Sequence, residues 1–215
     1  MSITIVLENT SHPGNIGAVA RAMYTMGLSK LMLINPCEVT EEAFLRARNG
    51  KSILNDAIIT DDLTLLNSFS TIYGTTSRHR ALNIPVLSSR ELVKENCNND
   101  STAVLFGNET NGLSNELLNL CNKVIEIPAK PGCSLNLSHA AQIICYEIAQ
   151  VSDTPHETPL ANLEDREHFL AWFESKHQGK GRVLPHTMTR MRTILNKATL
   201  TPEELKLLYS VLDPS

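Results

Sequence analysis

In the segment Glu8-Asn9-Thr10-Ser11-His12-Pro13-Gly14-Asn15-Ile16-Gly17-Ala18-Val19-Ala20-Arg21, one guanidinium stands among small and amide side chains. On a helical wheel Gly14, Gly17, Ala18 and Arg21 fall opposite the apolar residues, leaving a nearly flat face that a large partner could approach. The plain alternative is a solvent-facing arginine on a glycine-weakened helix. A second segment, Phe106-Gly107-Asn108-Glu109-Thr110-Asn111-Gly112-Leu113-Ser114, follows an apolar run. Its glycines let backbone come close to a ligand, and Glu109 can orient that ligand or order the loop. A tight connection into a short helix capped by Ser114 accounts for the same residues. In the third, Ile127-Pro128-Ala129-Lys130-Pro131-Gly132-Cys133-Ser134-Leu135-Asn136-Leu137-Ser138, Ser134, Asn136 and free N–H groups at a helix start can hold a carboxylate or a ribose hydroxyl. Simple N-capping by Ser134 or Asn136 explains them equally well. A fourth, Gly74-Thr75-Thr76-Ser77-Arg78-His79-Arg80, sets hydroxyls beside two guanidiniums. That suits a cofactor or a phosphate, or else a polar turn with solvated arginines.

Such loops need a scaffold. Short apolar runs at Ile3 to Leu7, Leu31 to Ile34, Thr71 to Gly74, Ala103 to Gly107 and Val124 to Ile127 read as buried strands. Helical patterns lie between most of them, which implies right-handed crossovers and an α/β fold with a largely parallel sheet. Ile16, Val19, Ala20, Met23 and Gly27 form the core stripe of the first helix, and Leu137, Ala140, Ala141, Ile144 and Ile148 that of another, over about 136–149. Ser152 to Pro159 reads as a linker, dividing a domain over 1–152 and a linker over 153–162 from a helical extension over 163–215. Within the extension, helices are expected at 163–177, 185–198 and 202–212. The last opens on Thr201-Pro202-Glu203-Glu204, an N-cap followed by proline and acids. Removing everything after about Thr158 is expected to leave a folded core with weakened binding to any phosphate-bearing partner.

Composition narrows the partners. A net charge of −4 and a pI near 6.0 argue against indiscriminate coating of nucleic acid, so any basic surface is local. One stretch fits: Lys176, Lys180, Arg182, Arg190, Arg192 and Lys197 occur with no Asp or Glu between 176 and 197. No apolar run is long enough for a bilayer and no leader pattern opens the chain, pointing to a cytoplasmic address. Five cysteines without a Cys-x-x-Cys pair indicate neither a disulfide framework nor a metal site.

In order and spacing, the first three segments resemble the signature motifs of the SpoU branch of the SPOUT trefoil-knot RNA methyltransferases. Asn15, Gly17 and Arg21 match the first motif. Gly107, Glu109, Gly112 and Leu113 match the second, and Ser134, Leu135, Asn136, Ser138 and Ala140 the third. Within the family the chain most resembles the tRNA cytidine/uridine 2′-O-methyltransferases, through residues 8–15, the Gly-Thr-Thr-Ser-Arg loop and the Leu184 to Leu212 region. The resemblance implies a SPOUT-type parallel sheet with a C-terminal knot, an obligate homodimer, bound S-adenosylmethionine and methylation at position 32 of the tRNA anticodon loop. It places cofactor contacts at Thr75, Thr76, Ser77, Gly107, Ile127, Cys133, Ser134 and Leu135. It places the catalytic centre at Asn15, Arg21, Glu109, Ser134 and Asn136. Arg78 and Arg80 join the six basic residues of the extension as candidates for RNA contact.

Methyl transfer from a sulfonium asks an enzyme mainly to align the ribose oxygen and help its proton leave, without a metal. A guanidinium, protonated at any physiological pH, suits Arg21 to phosphate and oxyanion stabilisation better than to base action. Two alternatives differ in kind: another SpoU-type enzyme acting on a different tRNA position or on ribosomal RNA, and a knotted RNA-binding protein without catalysis. Affinity for S-adenosylmethionine separates the second from the enzymes.

Overall fold

The computed structural model describes residues 3–77, 84–95, 101–130, 132–150, 159–177 and 185–213. Among the described residues, seven strands, β1 (Thr4–Glu8), β2 (Lys30–Ile34), β3 (Ile58–Thr60), β4 (Thr71–Thr76), β5 (Val86–Ser88), β6 (Thr102–Phe106) and β7 (Lys123–Glu126), form one sheet. Their order is β3-β2-β1-β6-β4-β7-β5 and every pairing is parallel. The central strands β1 and β6 are buried at every position, as expected when helices cover both faces. Ile5, Leu7, Leu33, Val104 and Phe106 point to one face, against Ile16, Val19 and Met23 of α1 (Pro13–Thr25) and Ile144 and Ile148 of α5 (Leu137–Ala149). The alternate residues Val6, Met32, Ala103 and Leu105 point to the other, against Leu117 and Leu118 of α4 (Asn115–Leu120). Two short helices, α2 (Glu41–Ala47) and α3 (Lys51–Asn55), complete the first face's surroundings.

The sequence pattern leaves β3 and β5 unmarked. Both are three-residue edge strands whose apolar side chains, Ile58, Ile59 and Val86, stay about half exposed, so no buried run announces them. Gly27 is not part of the α1 stripe. At φ +75° it terminates the helix, with its N–H donating to Tyr24 O and that of Leu28 to Met23 O, a Schellman stop. The flat face of α1 is also not free: a Cβ on Gly17 would lie 2.0 Å from the carbonyl oxygen of Ala43, because α2 crosses there. Gly17 therefore serves helix packing within the chain, and the exposed residues that remain on α1 include Arg21 and Tyr24. Closing the knot that the resemblance implies would involve connections that include residues 78–83 and 96–100, outside the described residues.

The extension consists of α6 (Leu163–His177), α7 (Pro185–Ala198) and α8 (Pro202–Leu212), the last opened by a Thr201–Glu204 capping box. Phe169, Leu170, Phe173, Leu195 and Leu205 give it a small core, with the Tyr209 ring edge-on to Phe169 at 4.9 Å. Residues 153–158 of the expected linker lie outside the described residues, but Leu163 is attached to the sheet domain. Leu163 enters the core beside Leu66 and Phe69, and its N–H donates to Phe69 O at 2.9 Å. The extension thus shares core contacts with the sheet, so its removal should cost stability. A chain ending at Thr158 should lose about 3 kcal/mol or more of stability, because apolar surface is uncovered and buried polar groups lose partners. Thermal unfolding checks this, and a truncated chain melting at the full-length temperature would refute it.

Candidate active site

The carboxyl ends of β4, β6 and β7 open into a cavity of about 290 Å³, near the lower end for small-molecule sites. Parallel strands deliver their following loops to one edge, which is why segments far apart in sequence meet there. Thr75, Thr76, Ser77, Gly107, Ile127, Cys133, Ser134 and Leu135, all eight positions expected to touch a cofactor, line the cavity. Leu113, Leu118, Ile125, Leu137 and Ala140 supply an apolar wall, and Glu109 and Glu126 two carboxylates. The loop after β6 is folded tightly back on Gly107. A Cβ there would stand 2.0 Å from Leu113 N and 2.1 Å from Gly112 C. Asn108 organises the turn, with its Oδ1 accepting from Thr110 N and its carbonyl accepting from Gly112 N, both at 2.8 Å, while Gly112 takes φ +70°.

From the cavity wall, Glu109 bonds to the start of α1 and, through Asn15, is linked to the start of α5. Its Oε1 accepts from Asn15 Nδ2 at 2.8 Å, and its Oε2 accepts from Ser11 Oγ at 2.8 Å and Ser11 N at 3.1 Å. Asn15 Oδ1 in turn accepts from Asn136 Nδ2 at 3.3 Å, and Asn136 Oδ1 caps α5 by accepting from Ser138 N at 2.9 Å. Ionisation of Glu109 follows from these partners. Partial burial pushes its carboxyl up, but the hydrogen bonds from Asn15, from its own backbone N–H and from Ser11 together outweigh it and hold the group below the usual glutamate range. Below the network, Glu8 accepts from Ser114 N at 2.9 Å, and Asn108 Nδ2 donates to Asn9 O at 2.7 Å. Asn9 sits at φ +50° and its side chain accepts from Asn35 Nδ2 at 2.6 Å.

The model of the SpoU rRNA Methylase family matches residues 2–146. The chain belongs to the SpoU methylase family. Among its relatives, the tRNA (cytidine/uridine-2'-O-)-methyltransferase TrmJ of Pectobacterium atrosepticum is 35% identical, the alignment covering 98% of this chain and 95% of that protein. TrmJ of Escherichia coli K12 is 34% identical over 98% and 94%. The crystal structure of TrmJ from Z. mobilis ZM4 superposes with a TM-score of 0.84 at 26% identity, covering 99% of this chain and 98% of that one.

Within this SpoU chain the motif residues Asn15, Glu109 and Asn136 form one hydrogen-bonded row, and Ser134 lines the cavity. Arg21 does neither: it is exposed on α1, away from the cavity lining. Asn136 also does what simple capping required, as does Ser114 for α4. Ser11, Asn9, Asn35, Asn108 and Glu8 join the network without standing at a motif position. Glu8 carries a signal, being a charge that ends the apolar run Ile5 to Leu7, and its burial is matched by the bond from Ser114 N. Of the basic residues proposed for RNA, Arg190 and Lys197 are exposed on α7. Lys176 pairs with Asp213 at 3.5 Å and Arg192 with Glu167, so the acid-free stretch meets acids in space. Arg78, Arg80, Lys180 and Arg182 lie outside the described residues. No group of His, Cys, Asp and Glu among the described residues could hold a metal.

Glu109→Gln tests the network. An amide nitrogen must then face Asn15 or Ser11 as donor to donor, so activity should fall about tenfold or more. The acid limb should change as well. A carboxyl with a lowered folded pKa stabilises the fold above the ordinary carboxylate range and loses that contribution as pH falls through its folded value. The Gln variant should therefore lose less stability than wild type on acidification, and parallel acid-unfolding curves would rule this out.

Proposed function

We propose that this SpoU-family chain transfers a methyl group from S-adenosylmethionine to the 2′-hydroxyl of cytidine or uridine at position 32 of the tRNA anticodon loop. The observation that carries the reading is that residues of the second and third motifs line one cavity while the first motif is tied to it through Glu109, which lines the cavity and accepts from Asn15 and Ser11. Relatives named for tRNA cytidine/uridine 2′-O-methylation, matched over nearly their whole length, support the substrate class.

The cavity's chemistry fits the cofactor. Leu113, Ile125, Ile127, Leu137 and Ala140 suit a flat adenine, and Thr76, Ser77 and Ser134 suit ribose hydroxyls and the amino-acid end. When bound, S-adenosylmethionine supplies an electrophilic methyl on a sulfonium. The protein's own residues then align the ribose: Asn136 and Asn15 present amides beside the cavity, oriented by an ionised Glu109. With its carboxyl held low, Glu109 is a weak base and acts as an orienting group. Arg21 stabilises charge on the ribose oxygen or the adjoining phosphate. Because it stands outside the lining of its own cavity, it serves the cavity of a second copy, in a homodimer. Half-exposed Tyr24 on α1 and Tyr146 on α5 support such an interface. Exposed Arg190 and Lys197 on the extension contact tRNA phosphates.

The deciding experiment incubates the full chain with tRNA and S-adenosylmethionine and maps ribose methylation by mass spectrometry, beside tRNA from a deletion strain. A methyl at nucleotide 32 is expected. Methylation elsewhere would make the chain another SpoU-type enzyme, and calorimetry with no cofactor binding would leave a knotted RNA-binding protein.

A further inference from the structure

The strands whose carboxyl ends line the cavity are held at their opposite ends by the extension. Asn122, 1% exposed at the start of β7, continues the β4–β7 ladder with its side chain: Oδ1 accepts from Ile72 N and its own N–H donates to Ile72 O, both at 2.8 Å. Its remaining amide group, Nδ2, donates to Asn196 O on α7 at 2.9 Å. Asn196, also buried, returns its side chain to the same corner, donating to Asn119 O at 3.1 Å and Cys121 O at 3.4 Å. A second attachment grips the start of β4. Arg166 of α6, 2% exposed, donates from Nη1 to Ser70 O at 2.7 Å and Ala161 O at 2.9 Å. Among the described residues its buried Nε and Nη2 have no partner, and burial draws the guanidinium down to about 10 against the pull of Glu167 and Asp165. A half-satisfied buried charge is a costly way to attach a helix that apolar packing could hold.

We infer that the extension is a positioning element for the cofactor cavity, with Asn122 and Asn196 as positioning residues. Ile72 lies three and four residues before Thr75 and Thr76, about 10–13 Å along β4. The same two strands carry the register Thr75↔Ile125 and Thr76↔Glu126 at the cavity. Fixing the Ile72–Asn122 pair therefore fixes where those cavity residues sit, and a loosened corner lets β4 and β7 shift together with the residues they present. Neither asparagine lines the cavity, so any effect on the ligand reaches it through the strands. The inference rests on the cavity binding S-adenosylmethionine.

The test titrates the full chain with S-adenosylmethionine by calorimetry at a temperature well below unfolding, for wild type, Asn196→Ala and Asn122→Leu. Folding is verified by circular dichroism, and Asn196→Ala carries the test where Asn122→Leu does not fold. Dissociation constants raised about fivefold to tenfold are expected for the folded variants, the size of effect seen for residues that couple to a site without touching it. A purely structural clasp would lower the unfolding temperature and leave the dissociation constant of the folded protein unchanged, and that result overturns the inference. Wild-type protein that binds no S-adenosylmethionine overturns the methyltransferase reading and this inference with it.

Discussion

Arg21→Ala is expected to fold like wild type and to methylate tRNA about 100-fold more slowly or worse, the scale of losing one preorganised charge-stabilising donor. Stability should hold because the side chain is exposed on α1 and buries little against its own chain. Affinity for S-adenosylmethionine should hardly move, since Arg21 lies outside the cavity lining. Arg21→Lys resolves the role further. A lysine keeps the charge that a phosphate needs but not the planar fork that grips two oxygens, so partial activity indicates charge stabilisation and near-complete loss indicates bidentate positioning. Mixing Arg21→Ala chains with chains disabled at Glu109 adds a check on the shared site: heterodimers should regain part of the activity if each cavity uses the arginine of the other copy. Arg21→Ala retaining wild-type turnover would return the residue to the status of a solvated surface arginine.

Gly107→Ala should act on the other substrate, abolishing measurable S-adenosylmethionine binding or weakening it about 100-fold or more. The added methyl would overlap backbone atoms of Gly112 and Leu113, not the end of a flexible side chain, so the 108–113 loop has to move as a unit. That loop carries Glu109, and its last residue, Leu113, is buried in the core at 3% exposure. Some loss of stability therefore accompanies the loss of binding, and calorimetry should be paired with thermal unfolding. Gly132→Ala is a useful comparison. Its strain comes from φ +78° with no neighbour within 4 Å, so it should disturb the loop before Ser134 without displacing Glu109. Normal cofactor affinity in Gly107→Ala would mean that the fold-back of the loop is irrelevant to the cavity.

Much of this architecture was legible in the residues themselves. Helices α6, α7 and α8 occupy the expected ranges, because proline, threonine and paired acids mark their starts. The buried strands announce themselves as apolar runs, since both faces of a parallel sheet are covered. Edge strands β3 and β5 do not, having one neighbour each and exposed side chains. Gly17 illustrates a different gap. A helical wheel shows that the face is small but not whether it meets a second molecule or the chain's own α2, and only the packing decides it. The site divides in the same way. Motif spacing brought Asn15, Glu109 and Asn136 forward, while the supporting contacts of Ser11, Asn9 and Asn35 depend on a positive-φ turn and on strand ends meeting in space. The basic stretch misleads in part, because its sequence neighbours carry no acid yet Glu167 of α6 meets Arg192 and Asp213, just past α8, meets Lys176.

The strand order also sets a schedule for synthesis. β1 pairs on one side with β2, which follows soon after it, and on the other with β6 in the register Thr4↔Ala103. At about 5–20 residues per second, a ribosome takes roughly 5–20 s to make the hundred residues separating these partners. Throughout that interval β1, β2 and α1 can associate, but the fully buried centre of the sheet has only one of its two sides. The growing chain thus carries an open apolar edge for seconds, the kind of nascent intermediate that chaperones hold and that slow parallel-sheet folders expose to aggregation.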